Sequence, residues 1–343
     1  MKKIVITGAT GFLGKELLKH LDREDLEIMI LARKIDSSIK LKAKTHWVLG
    51  DITQPDILHD DQQKKLLLEA DTVLHAAAYY DLKGTYNDCF LSNVVGTRNL
   101  LNFFKSAKKL KSFHYISTIA VIDPVGNENI LEDNLPERNK FSDYYSQTKY
   151  SAEKMFRDFE FVESNVAKLI YRPGVIVCAS DDPKNYKEDG PYYFAKVLKK
   201  FRPILNFIPH LILSYDAKAT LPIVPVDHVA KFLVSSLNRK SFSLEANDKT
   251  RTYHLVSDGI PTIPVFLEQI LNELRINIGL KNTDINIINN QLLTKIGIPK
   301  ETIPFMFHRH SYDKSNCYKD FEGGFESHYK DFQVVLLKSL RDV

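Results

Sequence analysis

Eight residues near the N-terminus, T-G-A-T-G-F-L-G from Thr7 to Gly14, limit what this chain can fold into more than any other stretch. Before them, residues 3–7 (KIVIT) are a short β-branched run that reads as a fully buried strand. After them, Leu13, Leu17, Leu18 and Leu21 recur at helical spacing. Gly8, Gly11 and Gly14 therefore fall in a strand-to-helix turn, with Thr10, Phe12 and Leu13 between them. Small residues there let the backbone approach a pyrophosphate, and the free N–H groups and dipole of the helix N-terminus favour its charge. The spacing G-x-x-G-x-x-G departs from the commoner G-x-G-x-x-G, and the same glycines would serve an ordinary turn. The strand before and the helix after make a dinucleotide site the reading around which the rest is organised.

Length and composition set further bounds. At 343 residues and 44% hydrophobic, the chain can bury one large core, or a nucleotide-binding domain with a smaller companion. A net charge of +4 with scattered lysines speaks against nucleic acid as a partner. Cys89, Cys178 and Cys317 share no metal or redox spacing and their odd number argues against a disulfide framework, so a cytoplasmic location is expected. Lys2 and Lys3 would suit a secretory leader, but the glycines and Lys15-Glu16 break the apolar run that must follow. No stretch reaches the length of a membrane span, which leaves peripheral membrane contact open.

Residues 26–32 (LEIMILA) read as a second strand, followed by Arg33 and Lys34. In such a sheet an acidic side chain at that strand end bonds a ribose 2′-hydroxyl, whereas an arginine accommodates a 2′-phosphate. Ala32 holds the place here, so NADP(H) is the expected cofactor; the basic pair would otherwise be solvated surface. Residues 46–49 form a third strand that runs into Gly50, Asp51 and Ile52, with Asp51 in reach of an adenine. A fourth, 71–75, ends in Ala76, Ala77 and Ala78, which leave room beside a cofactor and are equally at home in a core. His75 reads as a packed core histidine. Residues 85–108 predict a long amphipathic helix carrying Asn93. A fifth strand, 112–116, leads into Ser117 and Thr118, and a sixth, 166–171, into Arg172, Pro173 and Gly174. Alternating strands and helices predict an α/β fold, a doubly wound Rossmann-type parallel sheet with ligands at the carboxyl ends of its strands.

Beyond Gly174 the pattern loosens. Pro191 opens a helical run, and residues 201–213 are apolar but broken by Pro203 and Pro209. Residues 221–226 read as a strand with Asp227 capping the next helix, 252–256 as another sheet strand and 264–274 as a helix. The C-terminal stretch is aromatic and polar with weak periodicity. The expected division is a nucleotide-binding core over 1–175, completed by 221–258. A smaller, mostly helical substrate-binding region comes from 176–220 and 259–343.

Residues 145–161 predict a helix with Tyr145, Lys149, Ala152, Phe156 and Phe159 on one face. The Y-x-x-x-K within it places a phenol and an ammonium one turn apart. A phenol of pKa near 10 is a poor acid–base catalyst at neutrality, and a cation beside it favours the phenolate. The same two residues would be ordinary on an exposed helix face. Their weight comes from Ser117 and Thr118 at a strand end upstream and from the glycines heading the same sheet.

Taken together, T-G-A-T-G-F-L-G, Gly50-Asp51, H-A-A-A at His75, N-V-V-G-T at Asn93, Ser117-Thr118, Y-x-x-x-K and R-P-G at Arg172 resemble an extended short-chain dehydrogenase/reductase over residues 1 to about 260. Y-R-P-G-V-I-V from Tyr171, D-G-P-Y-Y-F from Asp189, L-P-I-V-P-V-D from Leu221 and Y-H-L-V from Tyr253 narrow the likeness. They are similar to the reductase domain of bacterial fatty acyl-CoA reductases, relatives of the plant male-sterility and thioester-reductase domains. Cys178 stands where that pattern usually has glycine, and Ser180-Asp-Asp-Pro183 replaces its D-S-x-T-G turn.

The resemblance implies roles. Tyr145 would give a proton to the carbonyl oxygen, Thr118 would hold that oxygen with Ser117 behind it, and Lys149 would bind the nicotinamide ribose and lower the pKa of Tyr145. Asn93 would help orient Lys149 through backbone or water. The implied substrate is a small molecule, an acyl thioester on coenzyme A or an acyl carrier protein, with aldehyde or alcohol as product. Lys196, Lys199, Lys200 and Arg202 would meet the carrier's phosphates, and the apolar side chains of 191–213 the acyl chain. A nucleotide-sugar epimerase or dehydratase, or a hydroxysteroid-type dehydrogenase, is the competing enzyme on this scaffold. A non-catalytic NADP-binding sensor is the competitor from another class. His308 and His310, two apart without a carboxylate or Cys partner, read as a polar turn and no metal is expected. Oligomeric state stays open.

Overall fold

The computed structural model describes residues 1–80, 84–138, 140–239, 250–283 and 298–343. Strands β1 (Lys2–Thr7), β2 (Leu26–Ala32), β3 (Lys44–Leu49), β4 (Thr72–His75) and β5 (Ser112–Ile116) are separated by helices except for β2 and β3, which residues 33–43 join without one. After the short β6 (Asn129–Ile130) come β7 (Ala167–Pro173), β8 (Val175–Val177), β9 (His210–Leu213), β10 (Ile223–Pro225) and β11 (Thr250–Leu255). Seven of them form one sheet in the order β11-β7-β5-β4-β1-β2-β3, parallel at every pairing. The order reverses at β1, so the ends of β1 and β4 bound the crevice where such sheets bind ligands. Parallel strands covered on both faces read as unbroken apolar runs, which is why Ile4, Val5 and Ile6 are all fully buried.

One face is covered by α1 (Phe12–Leu21) and α7 (Val226–Asn238), through Leu17, Leu18 and Leu21 and through Val229, Leu233 and Leu237. The other carries α2 (Asp61–Leu68), α4 (Gly96–Phe104) and α5 (Tyr144–Asp158), which bury Leu67, Leu100, Phe104, Ala152 and Phe156. A second core joins α6 (Pro191–Leu205), α8 (Ile263–Glu273) and a C-terminal helix, through Tyr192, Leu198, Phe266, Ile270, Phe332 and Leu336. Two small parallel pairs, β9 with β12 (Gly279–Asn282) and β6 with β13 (Ser311–Tyr312), tie that region down. Among the described residues no helix is long and apolar enough to cross a membrane.

Several sequence expectations are corrected. The helix expected over 85–108 is α3 (Tyr86–Cys89), a π-helical segment Phe90–Val95 and α4, ending at Phe104, where a backbone turn from Ala107 closes it. α5 stops at Asp158, three residues early, because Phe159 takes extended angles. The strand expected over 221–226 is shorter and pairs with β8 outside the main sheet. Asp227 does not cap α7, whose N-cap is Pro225; it accepts bonds from Ser180 and pairs with Lys231. The weakly periodic C-terminus holds α9 (Ser315–Asp320) and α10 (Tyr329–Asp342). Tyr329, Phe332, Leu336 and Leu340 are a buried helical stripe that a narrower window would have caught.

Candidate active site

The first turn after β1 is shaped by its own backbone. Gly8 sits at φ +75°, and a Cβ there would come within 2.5 Å of the Ala76 carbonyl carbon and the Ala77 nitrogen. At Gly14 a Cβ would lie 2.1 Å from the Gly8 oxygen. Gly11 is different: a Cβ would meet only the Gly8 oxygen, at 3.2 Å. Gly11 is exposed, caps α1 and lines the cleft, so its small size leaves space over a helix N-terminus, with a far milder internal contact than at Gly8 or Gly14. The N–H groups of the first turn have no intrahelical acceptor, and Phe12, Leu13 and Gly14 border the same cleft. This cradle fits a dinucleotide pyrophosphate.

Across the cleft, Asp143 caps α5 by accepting from the Ser146 nitrogen and hydroxyl, both at 2.7 Å. That sets Tyr145 and Lys149 facing the strand ends, and both border the cleft with Ser117 and Thr118. The Tyr145 phenol hydrogen-bonds Thr118, whose Oγ1 also accepts from the Ala120 nitrogen at 3.2 Å. Burial pushes the Tyr145 phenol well above its ordinary value, and the charges of Asp189 and Asp143 add to the rise against the Thr118 bond. The expected lowering by Lys149 is not what this geometry gives. Lys149 Nζ donates to the Ile116 carbonyl at 2.5 Å and lies 4.2 Å over the Tyr115 ring, and burial lowers its own pKa to about 7.

Behind this pair stands a buried ionic network. Arg172 and Glu153 are both fully buried and 2.5 Å apart, and Arg157 closes on the same carboxylate at 2.9 Å. Burial alone would raise Glu153, but Arg172 and Arg157, with bonds from Arg172 and Ser117, hold it at about 2. Ser117 is thus turned toward Glu153, its Oγ donating at 2.5 Å. Arg172, expected among the cofactor contacts, does not border the cleft, because Glu153 and His254 take up its guanidinium. Pro173 and Gly174 after it do.

Asn93 is likewise a brace. Its amide accepts from the Tyr79 nitrogen at 2.8 Å and donates to Thr148 Oγ1 at 3.0 Å, pinning the β4 loop to α5, the helix that carries Lys149. Ala76 and Ala78 border the cleft, whereas Ala77 bonds back to Thr7 Oγ1 and does not. Asp51 is occupied by Thr53, and Ile52 packs on Gly96. Neither of these lines the cavity, nor do Thr10, Arg33 and Lys34, all three exposed. His308 and His310 bond Thr220, Tyr312, Asp123 and Glu128, as a polar turn would.

Sequence reading missed a cluster beside Tyr145. The Tyr80 ring meets the Tyr145 ring edge-on at 4.6 Å, its phenol hydrogen-bonds Asp189, and Lys187 lies 4.5 Å over its face. The only hint was D-G-P at Asp189, where Gly190 at φ +48° turns the chain into α6.

The cavity, about 540 Å³, continues away from the cradle. There its lining is apolar, with Ile263, Phe266, Leu267 and Ile270 at helical spacing on α8 joined by Phe305, Met306 and Phe307, Met306 packing with Ile263 and Leu267. From the apolar run of 191–213, Pro191, Phe194 and Leu213 reach the cavity. Tyr192, Leu198 and Leu205 pack in the second core, while Ile204, Phe207, Ile208 and Ile212 face solvent.

Comparison with known proteins agrees with this geometry. The family model described as "Male sterility protein" matches residues 6–233. A polyketide synthase–nonribosomal peptide synthetase of Phaeosphaeria nodorum is 27% identical over 252 residues, 70% of this chain and 6% of that protein. A linear gramicidin synthase polypeptide of Brevibacillus parabrevis is 27% identical over 276 residues, 74% of this chain and 5% of that one. The chain thus spans a small fraction of these relatives' length. Among solved structures, the terminal R domain from the myxalamid PKS-NRPS biosynthetic pathway superposes with TM-score 0.69 at 24% identity, covering 99% of this chain and 90% of that one. A UDP-glucuronic acid 4-epimerase from Bacillus cereus, solved with UDP-glucuronic acid and NAD, superposes with TM-score 0.68 at 18% identity over 99% of both chains. Matched over well over half its length, with a glycine cradle and a Tyr–Lys pair on one parallel sheet, the chain belongs to the male sterility protein family, NAD(P)-binding oxidoreductases of the extended short-chain dehydrogenase/reductase type.

Proposed function

We propose that this protein uses NADPH to reduce the carbonyl of an acyl thioester, or the corresponding aldehyde. One observation carries the reading: a single cleft joins the glycine cradle and Tyr145–Thr118 to a wall of apolar side chains from α8 and residues 303–307. A substrate with a reactive carbonyl at one end and a hydrocarbon body fits that polarity. A sugar nucleotide would want polar partners along the same wall.

Gly11 and the first turn of α1 would hold the pyrophosphate, with Lys149 toward the nicotinamide ribose. When bound, the dinucleotide supplies the hydride. The raised pKa keeps the Tyr145 phenol protonated at neutrality, the form that donates in the reductive direction. Thr118, already bonded to Tyr145, positions the substrate oxygen to receive that proton. Phe266, Leu267 and Ile270 would take the hydrocarbon body of the substrate. With a thioester, the carbon gains hydride, the oxygen gains the Tyr145 proton, and breaking the C–S bond releases aldehyde and thiol.

NADPH rather than NADH is supported by Ala32, which offers no carboxylate, and by exposed Arg33 and Lys34 beside it, neither in an ion pair among the described residues. A carrier-tethered thioester is supported by the family's synthetase relatives. It is supported too by similarity, TM-score 0.69 at 20% identity, to a thiolation-reductase di-domain from an archaeal non-ribosomal peptide synthetase. The test is oxidation of NADPH and of NADH by the purified protein, offered acyl-CoA, acyl carrier protein thioesters, fatty aldehydes and UDP-sugars in parallel. NADPH oxidation with the acyl substrates is expected, and turnover of UDP-sugars alone would refute the reading.

A further inference from the structure

At the end of α6 farthest from the cleft, apolar side chains stand in water. Phe207 is 89% exposed, Ile204 61%, Ile212 52% and Ile208 41%. This is a held turn rather than a frayed end. Asn206, Phe207 and Ile208 donate their N–H groups to the carbonyls of Arg202, Ile204 and Leu205, and Leu205 is anchored in the second core. β9 then returns beside β12, with Ile212 next to Lys281 in register.

The charge along this stretch of chain has one sign. From Gly190 to Tyr215 the chain has no Asp or Glu and four Lys or Arg. Lys196 is engaged by Glu188, and Lys199 by the carbonyls of Arg341 and Val343. Lys200, Arg202 and Lys281 are exposed, and none is in an ion pair among the described residues.

We propose that this tip docks the protein on an anionic lipid surface. The four apolar side chains enter the boundary between headgroups and acyl chains, while Lys200, Arg202 and Lys281 meet lipid phosphates. A tip projecting from a turn suits a fluid interface, which needs no matching pocket, and the absence of Asp and Glu from residues 190–215 lessens the repulsion an anionic surface would impose. α6 links the tip to the cleft: Phe194 at its other end lines the cavity, roughly 16 Å away along the helix at 1.5 Å per residue. The docking does not depend on the reductase reading.

The experiment is sedimentation of the full chain with vesicles of phosphatidylcholine, with and without phosphatidylglycerol. Binding is expected to the mixed vesicles only and to weaken with salt. Phe207→Ser with Ile208→Ser should lower vesicle affinity roughly ten- to a hundredfold or more at unchanged melting temperature. Lys200→Glu with Arg202→Glu should abolish the preference for phosphatidylglycerol. Failure of the unmodified chain to sediment with mixed vesicles overturns the proposal, as does undiminished sedimentation of both double variants. An acidic carrier protein that binds this tip when vesicles do not also overturns it and assigns the surface to a protein.

Discussion

The two halves of the cleft are built from different materials. The half around Gly8, Gly11 and Gly14 is mostly backbone: a positive-φ glycine, the open N–H groups of α1 and the ends of β1, β4 and β5, all in sequence-local motifs. The other half is side-chain volume, gathered from Phe194, one face of α8 and residues 302–307, more than a hundred positions apart. Backbone geometry tolerates little change because a misplaced Cβ has nowhere to go. An apolar wall of the right total volume accepts substitution and shifts what it holds. Chemistry should therefore be sensitive in the first half and selectivity adjustable in the second.

The sharpest test of this contrast is Tyr145→Phe, which should lower turnover about 10²–10⁴-fold while leaving dinucleotide binding intact, as read by steady-state kinetics and cofactor titration. Tyr144, 51% exposed, is the control: Tyr144→Phe should change little. Next in size is Glu153→Gln, which strips a buried pair from behind Ser117 and should cost about 3–5 kcal/mol in denaturant unfolding. Its pH signature has a definite sign. The folded carboxyl lies at about 2 against an ordinary 4.5, so its stabilisation is complete above 4.5 and is lost as pH falls toward 2. The variant should show a flatter acid limb over that window.

Arg33→Ala should raise KM for NADPH roughly ten- to more than a hundredfold and leave NADH nearly unchanged, the loss of a charge-assisted bond of ~1.5–3 kcal/mol. Equal use of both cofactors by the unmodified protein would remove its premise. The glycines then separate fold from binding. Gly14→Ala drives a Cβ into the Gly8 oxygen and should lower stability by about 1–3 kcal/mol. Gly11→Ala should melt near the parent temperature but bind dinucleotide more weakly. If Gly11→Ala were the destabilising change, the cradle would not be open as described. The smallest effect is expected in the apolar half: Met306→Phe should shorten the preferred acyl chain. The kcat/KM loss should be roughly fourfold for each methylene displaced, at ~0.8 kcal/mol, with short chains unaffected.

How much of this was legible beforehand follows from range. The strand–glycine–helix turn, the strand ends and the Tyr–Lys spacing are local patterns, and a parallel, doubly wound sheet follows from strands alternating with helices, whereas its strand order comes from the structure. Arg172 is legible as a strand-end residue, but its neighbours are not. Whether a buried arginine meets a ligand or a glutamate depends on Glu153, nineteen positions away on another element. Lys149 misled for the same reason, since the Ile116 carbonyl and Tyr115 ring that hold it lie on β5. The apolar run of 191–213 could not be divided by eye into core, cavity wall and exposed tip, because each fate depends on what packs opposite.

The amino-acid sequence by itself determined the parallel α/β framework, the cradle after β1 and the one-turn spacing of Tyr145 and Lys149, because hydrophobic period, glycine placement and helical spacing act within a few residues. Only the tertiary structure decided which charges are consumed internally, that Tyr80 and Asp189 flank Tyr145, and that α8 and residues 302–307 close the cleft. Those outcomes turn on desolvation and on contacts between segments brought together by folding, and neither quantity is written in any local stretch of chain.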